Sequence, residues 1–524
     1  MYDYVIHGAR IADGTGNPMY HAEVGVKNGK IARIGHHLSF DGAQVIDGTG
    51  KVLSPGFIDA HSHQDTSLEA GPECKNSVAQ GITTFIGGMC GSSAAPISEK
   101  ERQERLAKGG DPESLAARLH WSDYMKFLDR RTYGANAVHL VGHGRLRQVA
   151  DCYVNRSLTA EERGRMEACL DECMRAGAHG LSFGLIYPPS SYADTDELVG
   201  LAKVVAKHGG VITVHMRNEG NKLIEAVDEM MQVTRASGVR MVISHHKASN
   251  GEMNWNKTAA TIAMMEKTIA DGFDVFCDQY PYTASSTGLK SCIPGKYFVL
   301  GMDKLTEMMA DPAQRTALKD EVCNGAAPAA RFKYVMIGNS QSHPEYNGRM
   351  LNEIAEKTGV DPYELFCDIL RDDHMDTRGI YHTASEDDLV RVMRWRRAMV
   401  GIDSSYTAKS VGNHPRCFGT FPRVLGRYVR ELGVITLEDA IRKMCYLPAM
   451  VYNLSTKGLI REGMDADLVL FDPETVSDRA TYADPFLLNE GLDMVMVGGQ
   501  IALENNVPNG VLNGRVILHS DDAE

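Results

Sequence analysis

The sequence predicts an α/β protein: a (β/α)₈ barrel, a small β domain assembled from both chain ends, and a long insertion before the last barrel strand. Three observations carry this. Eight short apolar runs ending in polar or glycine residues alternate with helix-like stretches through the middle of the chain. Both ends are rich in short alternating segments around glycines. One connection, from Thr287 to His343, is much longer than the rest.

The eight runs are Gly56–His61, Gly81–Ile86, Ala137–Val141, Gly180–Gly184, Gly210–His215, Val239–His245, Phe273–Cys277 and Arg397–Asp403. Between them Thr159–Ala176, Asp196–His208 and Asn221–Ala236 repeat apolar residues every three or four positions, as amphipathic helices do. Strands that are apolar on both faces, each followed by a helix, are the pattern of a closed parallel barrel. A doubly wound open sheet is the competing architecture, but no G-x-G-x-x-G follows an early strand.

At the ends, Val5–Ile11 reads V-I-H-G-A-R-I and Val495–Ile501 reads V-M-V-G-G-Q-I. Each places glycine between apolar runs and is expected to form a strand, a tight turn and a strand. The alternating segments Ala22–Ile34 and Ala466–Phe471 flank them. Chance likeness of two short hairpins is the alternative. The expected units are residues 1–54 and 441–524 for the β domain and 55–440 for the barrel, with 288–345 inserted. That insertion holds Pro294, Pro312 and Pro328 and a candidate strand, Phe332–Ile337, and long insertions after barrel strands commonly form lids.

Composition narrows the function. The 524 residues carry 55 Lys+Arg against 68 Asp+Glu, a net charge of −13, and 43% hydrophobic residues. These values fit a folded chain rather than a disordered one. The acidic balance excludes a duplex-binding role, which needs a basic face. No run of about 18 apolar residues occurs, so no membrane partner is expected. The N-terminus lacks a basic segment before its apolar residues and does not read as a signal peptide. Eleven scattered cysteines suit a reducing cytosol and leave at least one thiol free.

The chemistry sits at the strand ends. Residues i and i+2 of a strand share a face, so His61 and His63 converge where the first run closes. His215, His245 and Asp403 close the fifth, sixth and eighth. A lone H-x-H is ordinarily a hydrogen-bonded surface pair, but four histidines and an aspartate at the catalytic end of one barrel point to metal. Cys90, after the second strand, offers a thiolate that can hold or bridge zinc, or is simply a small buried hydrophobe. The fourth run carries no lysine, so a carboxylated lysine cannot bridge two metals there. Cys90 is the best substitute.

The strings Pro55-Gly-Phe-Ile-Asp-Ala-His-Ser-His63, Met89-Cys90-Gly91, Tyr187-Pro-Pro189, His215-Met-Arg-Asn-Glu219, Ser244-His-His-Lys247, Tyr280-Pro-Tyr282, His414-Pro-Arg416 and Gly463-Met-Asp-Ala-Asp-Leu-Val469 together resemble the N-acyl-D-amino-acid deacylases (D-aminoacylases) of the amidohydrolase superfamily. The resemblance implies a β-sandwich from both termini and a lid after the seventh strand. It also implies a tight zinc on Cys90, His215 and His245, and a weaker second position near His61, His63, Cys90 and Asp403. Two departures stand out: Gln64 replaces an acidic residue beside Asp65, and Ser404–His414 differs from typical members.

In the expected mechanism zinc acidifies water, Asp403 moves its proton, and Tyr187 is a candidate donor to the developing oxyanion. Lys247 and Arg416 would meet the carboxylate of an N-acyl-amino acid, with hydroxyls from Tyr280 and Ser286. Arg217 and Glu219 form a candidate pair orienting metal ligands. His246 should face away, and His143 could line the mouth without a role. The alternatives are a metal amidohydrolase acting on a dipeptide, cyclic amide or other N-acyl compound, and a non-catalytic scaffold.

Overall fold

The computed structural model describes residues 1–408 and 414–519. Its centre is a closed parallel barrel of Phe57–Asp59, Ile82–Gly87, Asn136–His139, Gly180–Gly184, Val211–His215, Arg240–Ile243, Val275–Gln279 and Ala398–Val400. The third strand breaks at Leu140. Its first half pairs with the second strand, and Val141–Gly142 pairs with the fourth. The Ala60 N–H donates to Val400 O at 3.0 Å and closes the ring. Every residue of the fourth and fifth strands is buried, which explains their unbroken apolar runs.

Helices cover the outside. Ala160–Arg175 starts at a reciprocal cap between Thr159 and Glu162, and Thr195–Lys207 at the Asp194 carboxylate. Leu223–Ser237 stops at Gly238, whose φ of 74° an L side chain resists. The barrel's bottom is closed by Leu447, Ala449, Val451 and Tyr452, which pack on Ile58, Ile86, Val138 and Phe276. The expected boundary at 440 therefore falls inside the helix Leu437–Met444, and the chain just beyond it packs on the barrel.

Two sheets from the chain ends face each other. One orders Lys30–Gly35, Glu23–Lys27, Tyr4–His7 and Gln44–Asp47. The other mixes both ends: Leu468–Phe471 lies between Leu492–Val497 and Val52–Pro55, antiparallel to each. Ile6, Val24, Leu53, Leu468 and Met496 fill the space between the sheets. The two similar end motifs differ in structure. Val495–Ile501 is a hairpin turning at Gly498 and Gly499. Val5–Ile11 is not: Gly8, at φ 77°, sends the chain from one sheet to the other, where Arg10 and Ile11 pair with Val52 and Leu53.

The insertion is longer than expected. A three-stranded antiparallel sheet places Arg378–Tyr381 between Ser285–Gly288 and Val335–Asn339. Its own core runs from Leu289 through Phe332 and Phe366 to Met375, beyond the expected end at 345. The helices Leu351–Thr358 and Pro362–Asp372 have the periodicity of outer barrel helices, yet they pack on this core. The true outer helix before the eighth strand is Glu386–Arg394. Among the described residues no helix is long and apolar enough to cross a membrane, and all eleven cysteines are unpaired.

Candidate metal centre

Six side chains from five strand ends meet at the C-terminal mouth of the barrel. Cys90 Sγ lies 3.4 Å from His61 Nε2 and 3.5 Å from His245 Nε2. Asp403 Oδ1 lies 3.2 Å from His63 Nε2 and 3.6 Å from His61 Nε2. Two donor groups result, His61–His63–Cys90–Asp403 and Cys90–His215–His245, with ligand atoms in each within 4.8 Å of one another. Cys90 belongs to both.

The donors fit zinc. Two ligands on a tetrahedral zinc at ordinary bond lengths stand about 3.5 Å apart, the spacing seen from Cys90 to its two histidines. Both ring nitrogens of buried His215 lack a hydrogen-bond partner. A buried imidazole with neither nitrogen bonded is costly, and a metal ligand explains it. Burial opposes ionisation of Cys90, but His61, His215 and His245 draw the thiol well below its ordinary value. The ligand form of cysteine is the thiolate.

Backbone strain aims these ligands. Cys90, His245 and Asp403 have φ of 54°, 35° and 46°, the left-handed region that side chains resist. Neighbouring bonds hold two of them: His245 N–H donates to Asp278 Oδ1 at 2.7 Å, and Asp403 N–H to His61 O at 2.8 Å. The fourth strand shows why it carries no lysine at its tip. A Cβ on Gly184 would fall 2.0 Å from Cys90 O, so a side chain there would displace the cysteine loop. Ser182 Oγ accepts from Gly91 N–H at 3.0 Å and steadies that loop.

The proposed substrate contacts Tyr187, Lys247, Tyr280, Ser286 and Arg416 line one cavity of about 870 Å³ together with His63, Cys90, His215, His245 and Asp403. Two already have charged partners. Lys247 Nζ stands 2.7 Å from Glu219 Oε1. Arg416 Nη1 stands 2.9 Å from Asp403 Oδ2, and its guanidinium covers the Tyr280 ring at 4.6 Å. Tyr280 Oη is buried and unbonded. Ser286 contributes its carbonyl to Arg416 Nη2 at 3.3 Å. Tyr187 Oη meets Thr287 Oγ1 at 3.3 Å while its ring packs edge-on against His215.

Charge compensation sets the ionisation states. Burial disfavours a charged Asp403, yet Arg416, His63, His245 and His61 hold it well below the usual carboxylate range. Glu219, equally buried, is held low by Lys247, His215 and His245. Burial and then Cys90 push the Tyr187 hydroxyl up, so it stays a donor at neutral pH. His63 rises to about 9 despite burial, through Asp403 and Cys90.

Other expectations meet different outcomes. Arg217 and Glu219 are not a pair: Arg217 binds Glu229 at 2.8 Å and the carbonyls of Ser191 and Ala193. Glu219 alone reaches a ligand, 2.9 Å from His245 Nδ1. The alternation that aims His215 inward holds for a strand, but the chain turns after His215 and separates the two. His246 points away to Thr261 Oγ1 at 2.8 Å. His143 is buried against Glu197 rather than placed at the mouth. Gln64 bonds both backbone groups of Tyr406, away from the donors. Residues 409–413 of the unusual Ser404–His414 segment lie outside the described residues.

Two buried carboxylates, Asp278 and Asp59, were given no role from the sequence. Asp278 lies 3.2 Å from His61 Nδ1 and also accepts from the His245 backbone, so it orients two donors. Asp59 accepts from the N–H groups of His61 and Ile402 and joins the first and eighth strands. Asp278 closes a strand as the predicted donors do, and that position was its signal.

An Amidohydrolase family model matches residues 44–503. The chain belongs to this family. Among amidohydrolase relatives, an N-acyl-D-glutamate deacylase of Alcaligenes xylosoxydans xylosoxydans is 35% identical over 95% of this chain and 93% of its own. A D-aminoacylase structure described with a binuclear metal centre superposes at TM-score 0.83, with 33% identity over 99% of this chain and all of that one. The N-acyl-D-glutamate deacylase of Bordetella bronchiseptica, complexed with zinc and a phosphonate mimic of the tetrahedral intermediate, superposes at 0.81 with 33% identity and the same coverage.

Proposed function

We propose that this chain hydrolyses the amide bond of N-acyl-D-amino acids, releasing a carboxylate and a free D-amino acid, with zinc as its metal. The observation that carries the reading is Cys90, shared by two donor groups on the floor of a cavity whose wall holds Lys247 and Arg416. The relatives' activities support it. Cys90, His215 and His245 would hold the tight zinc, and His61, His63, Cys90 and Asp403 the weaker position. Zinc there supplies a Lewis acid that polarises an amide carbonyl and lowers the pKa of water from about 15.7 toward 7.

The protein's own groups do the rest. Asp403, kept ionised, takes a proton on Oδ1 and returns it to the leaving nitrogen. The Tyr187 hydroxyl donates to the developing oxyanion. Arg416 and Lys247 bind the substrate carboxylate, with Tyr280 Oη as a further donor. As that carboxylate draws on Arg416, the arginine's hold on Asp403 weakens and the base strengthens. The lid sheet covers this assembly and limits water. The fourth strand, with no lysine and no room at its tip for one, disfavours the cyclic-amide branch. Eleven unpaired cysteines support a reducing, cytoplasmic setting.

The test offers N-acetyl-D-leucine and N-acetyl-L-leucine to the same zinc-assayed preparation. Turnover of the D form at least tenfold above the L form is expected. Equal rates for the two forms, or no turnover of any N-acetyl-D-amino acid, would overturn the reading.

A further inference from the structure

Arg416, the arginine proposed for the substrate carboxylate, opens the helix Arg416–Arg423. The N–H groups of a helix's first turn have no partner within the helix, and Pro415 at the cap position supplies none from its side chain. His414 supplies one instead. Its Nδ1 accepts from the Arg416 N–H at 3.1 Å. On the other side of the ring, Nε2 stands 3.0 Å from the carbonyl oxygen of Ala284.

These two bonds fix the state of the ring. Nδ1 can accept only without a proton, and Nε2 can meet a carbonyl only with one. His414 is therefore neutral, with its proton on Nε2. Burial, and then the charge of Arg416, hold its pKa well below the ordinary value, so the ring keeps this state at neutral pH. It is wholly buried, and Tyr282 and Tyr482 each meet it edge-on at 5.1 Å.

Ala284 lies at the root of the lid. It directly precedes Ser285–Gly288, the first strand of the lid sheet. Two residues on from Ala284, the Ser286 carbonyl accepts from Arg416 Nη2 at 3.3 Å. His414 and Arg416 thus hold one stretch of the lid at two carbonyls, while the guanidinium also meets Asp403 at 2.9 Å. The chain leaves the lid beside this point, where the Ala384 N–H donates to Thr283 O at 3.1 Å. There His382 packs on Tyr482, the same ring that meets His414.

We propose that His414 is a positioning residue, one neutral ring that holds the root of the lid and the carboxylate-binding Arg416 in fixed register. Arg416 and Ser286 then stand in place before substrate arrives, which lowers the cost of binding it. The inference rests on the deacylase reading for the task of Arg416, and adds what sets that arginine against the lid.

The test uses His414→Asn and His414→Gln, each of which keeps one of the two bonds. The shorter carboxamide puts its oxygen where Nδ1 stands and still caps Arg416. The longer one puts its nitrogen where Nε2 stands and still donates to Ala284. Both variants should bind zinc as the wild type does. With the wild type's best N-acetyl-D-amino acid, KM should rise about five- to tenfold in each, the range of one hydrogen bond, and kcat should stay within about threefold. Hydrogen exchange read by mass spectrometry separates the two bonds: residues 285–288 should exchange faster in His414→Asn and as in the wild type in His414→Gln. Unchanged KM in both variants, or zinc and kcat lost together at unaltered KM, would overturn the positioning role. So would exchange that is unaltered in both variants or equally quickened in both. A wild type that turns over no N-acetyl-D-amino acid would sink the deacylase reading, and exchange alone would then decide whether His414 holds the lid.

Discussion

The two walls of the cavity are built on opposite electrostatic plans. On the barrel wall every charge has its counter-charge: Asp403 with Arg416, and Glu219 with Lys247 and His245. On the lid wall Arg331 and the exposed Arg378 line the cavity, and among the described residues neither has a carboxylate within ion-pair distance. The barrel wall sits on strand ends that the closed ring holds in place, so it suits groups that must be positioned for chemistry before substrate arrives. The lid wall sits on an inserted sheet with a separate core, and its unspent charge suits selection among substrates. Change on the barrel side should therefore cost metal and rate together, whereas change on the lid side should cost discrimination.

The largest break in this contrast is expected from Cys90→Ala, which removes the ligand shared by both donor groups. Zinc measured by elemental analysis should fall sharply, with kcat down by roughly a thousandfold or more. Unchanged zinc would mean the thiol is merely buried. Asp403→Asn comes next, with kcat lower by about a hundredfold to ten-thousandfold. Because it strands the buried Arg416 charge, denaturant unfolding should also show a loss of about 3–5 kcal/mol. Asp278→Asn keeps an acceptor for the His245 backbone but weakens the hold on His61 Nδ1. Competition with a chelator should show zinc affinity down by about ten- to a hundredfold, and unaltered affinity would remove Asp278 from the site. His246→Gln should change least, with kcat/KM within about twofold, since its ring meets Thr261 on the far side of the strand.

How much of this was legible follows the same division. The barrel was readable because parallel strands buried on both faces become apolar runs, and because the helices between them carry a 3.6-residue period. His61, His63, His215, His245 and Asp403 stood out because each follows such a run. The lid was not readable to its end. Leu351–Thr358 and Pro362–Asp372 are amphipathic wherever their apolar faces are buried, and nothing local says whether barrel or lid does so. Glycine misled at the N-terminus, since Gly8 marks a left-handed turn but not which sheet receives the chain. The left-handed φ at Cys90 left no trace in residue type, and His245 and Asp403, of types enriched in that region, carry only a weak one. Asp278 was hidden differently: its partners lie 217 and 33 residues away, so only the fold joins them.

The account stands or falls on the strand-end cluster being a zinc centre that hydrolyses amides. The most direct measurement removes metal with a chelator and returns zinc in steps, following N-acyl-D-amino-acid hydrolysis and bound zinc on the same sample. Activity should vanish on removal and recover as the first equivalent of zinc binds, and it should not recover in Cys90→Ala. Hydrolysis that persists in the metal-free protein, or returns with zinc in the absence of the Cys90 thiol, would contradict it.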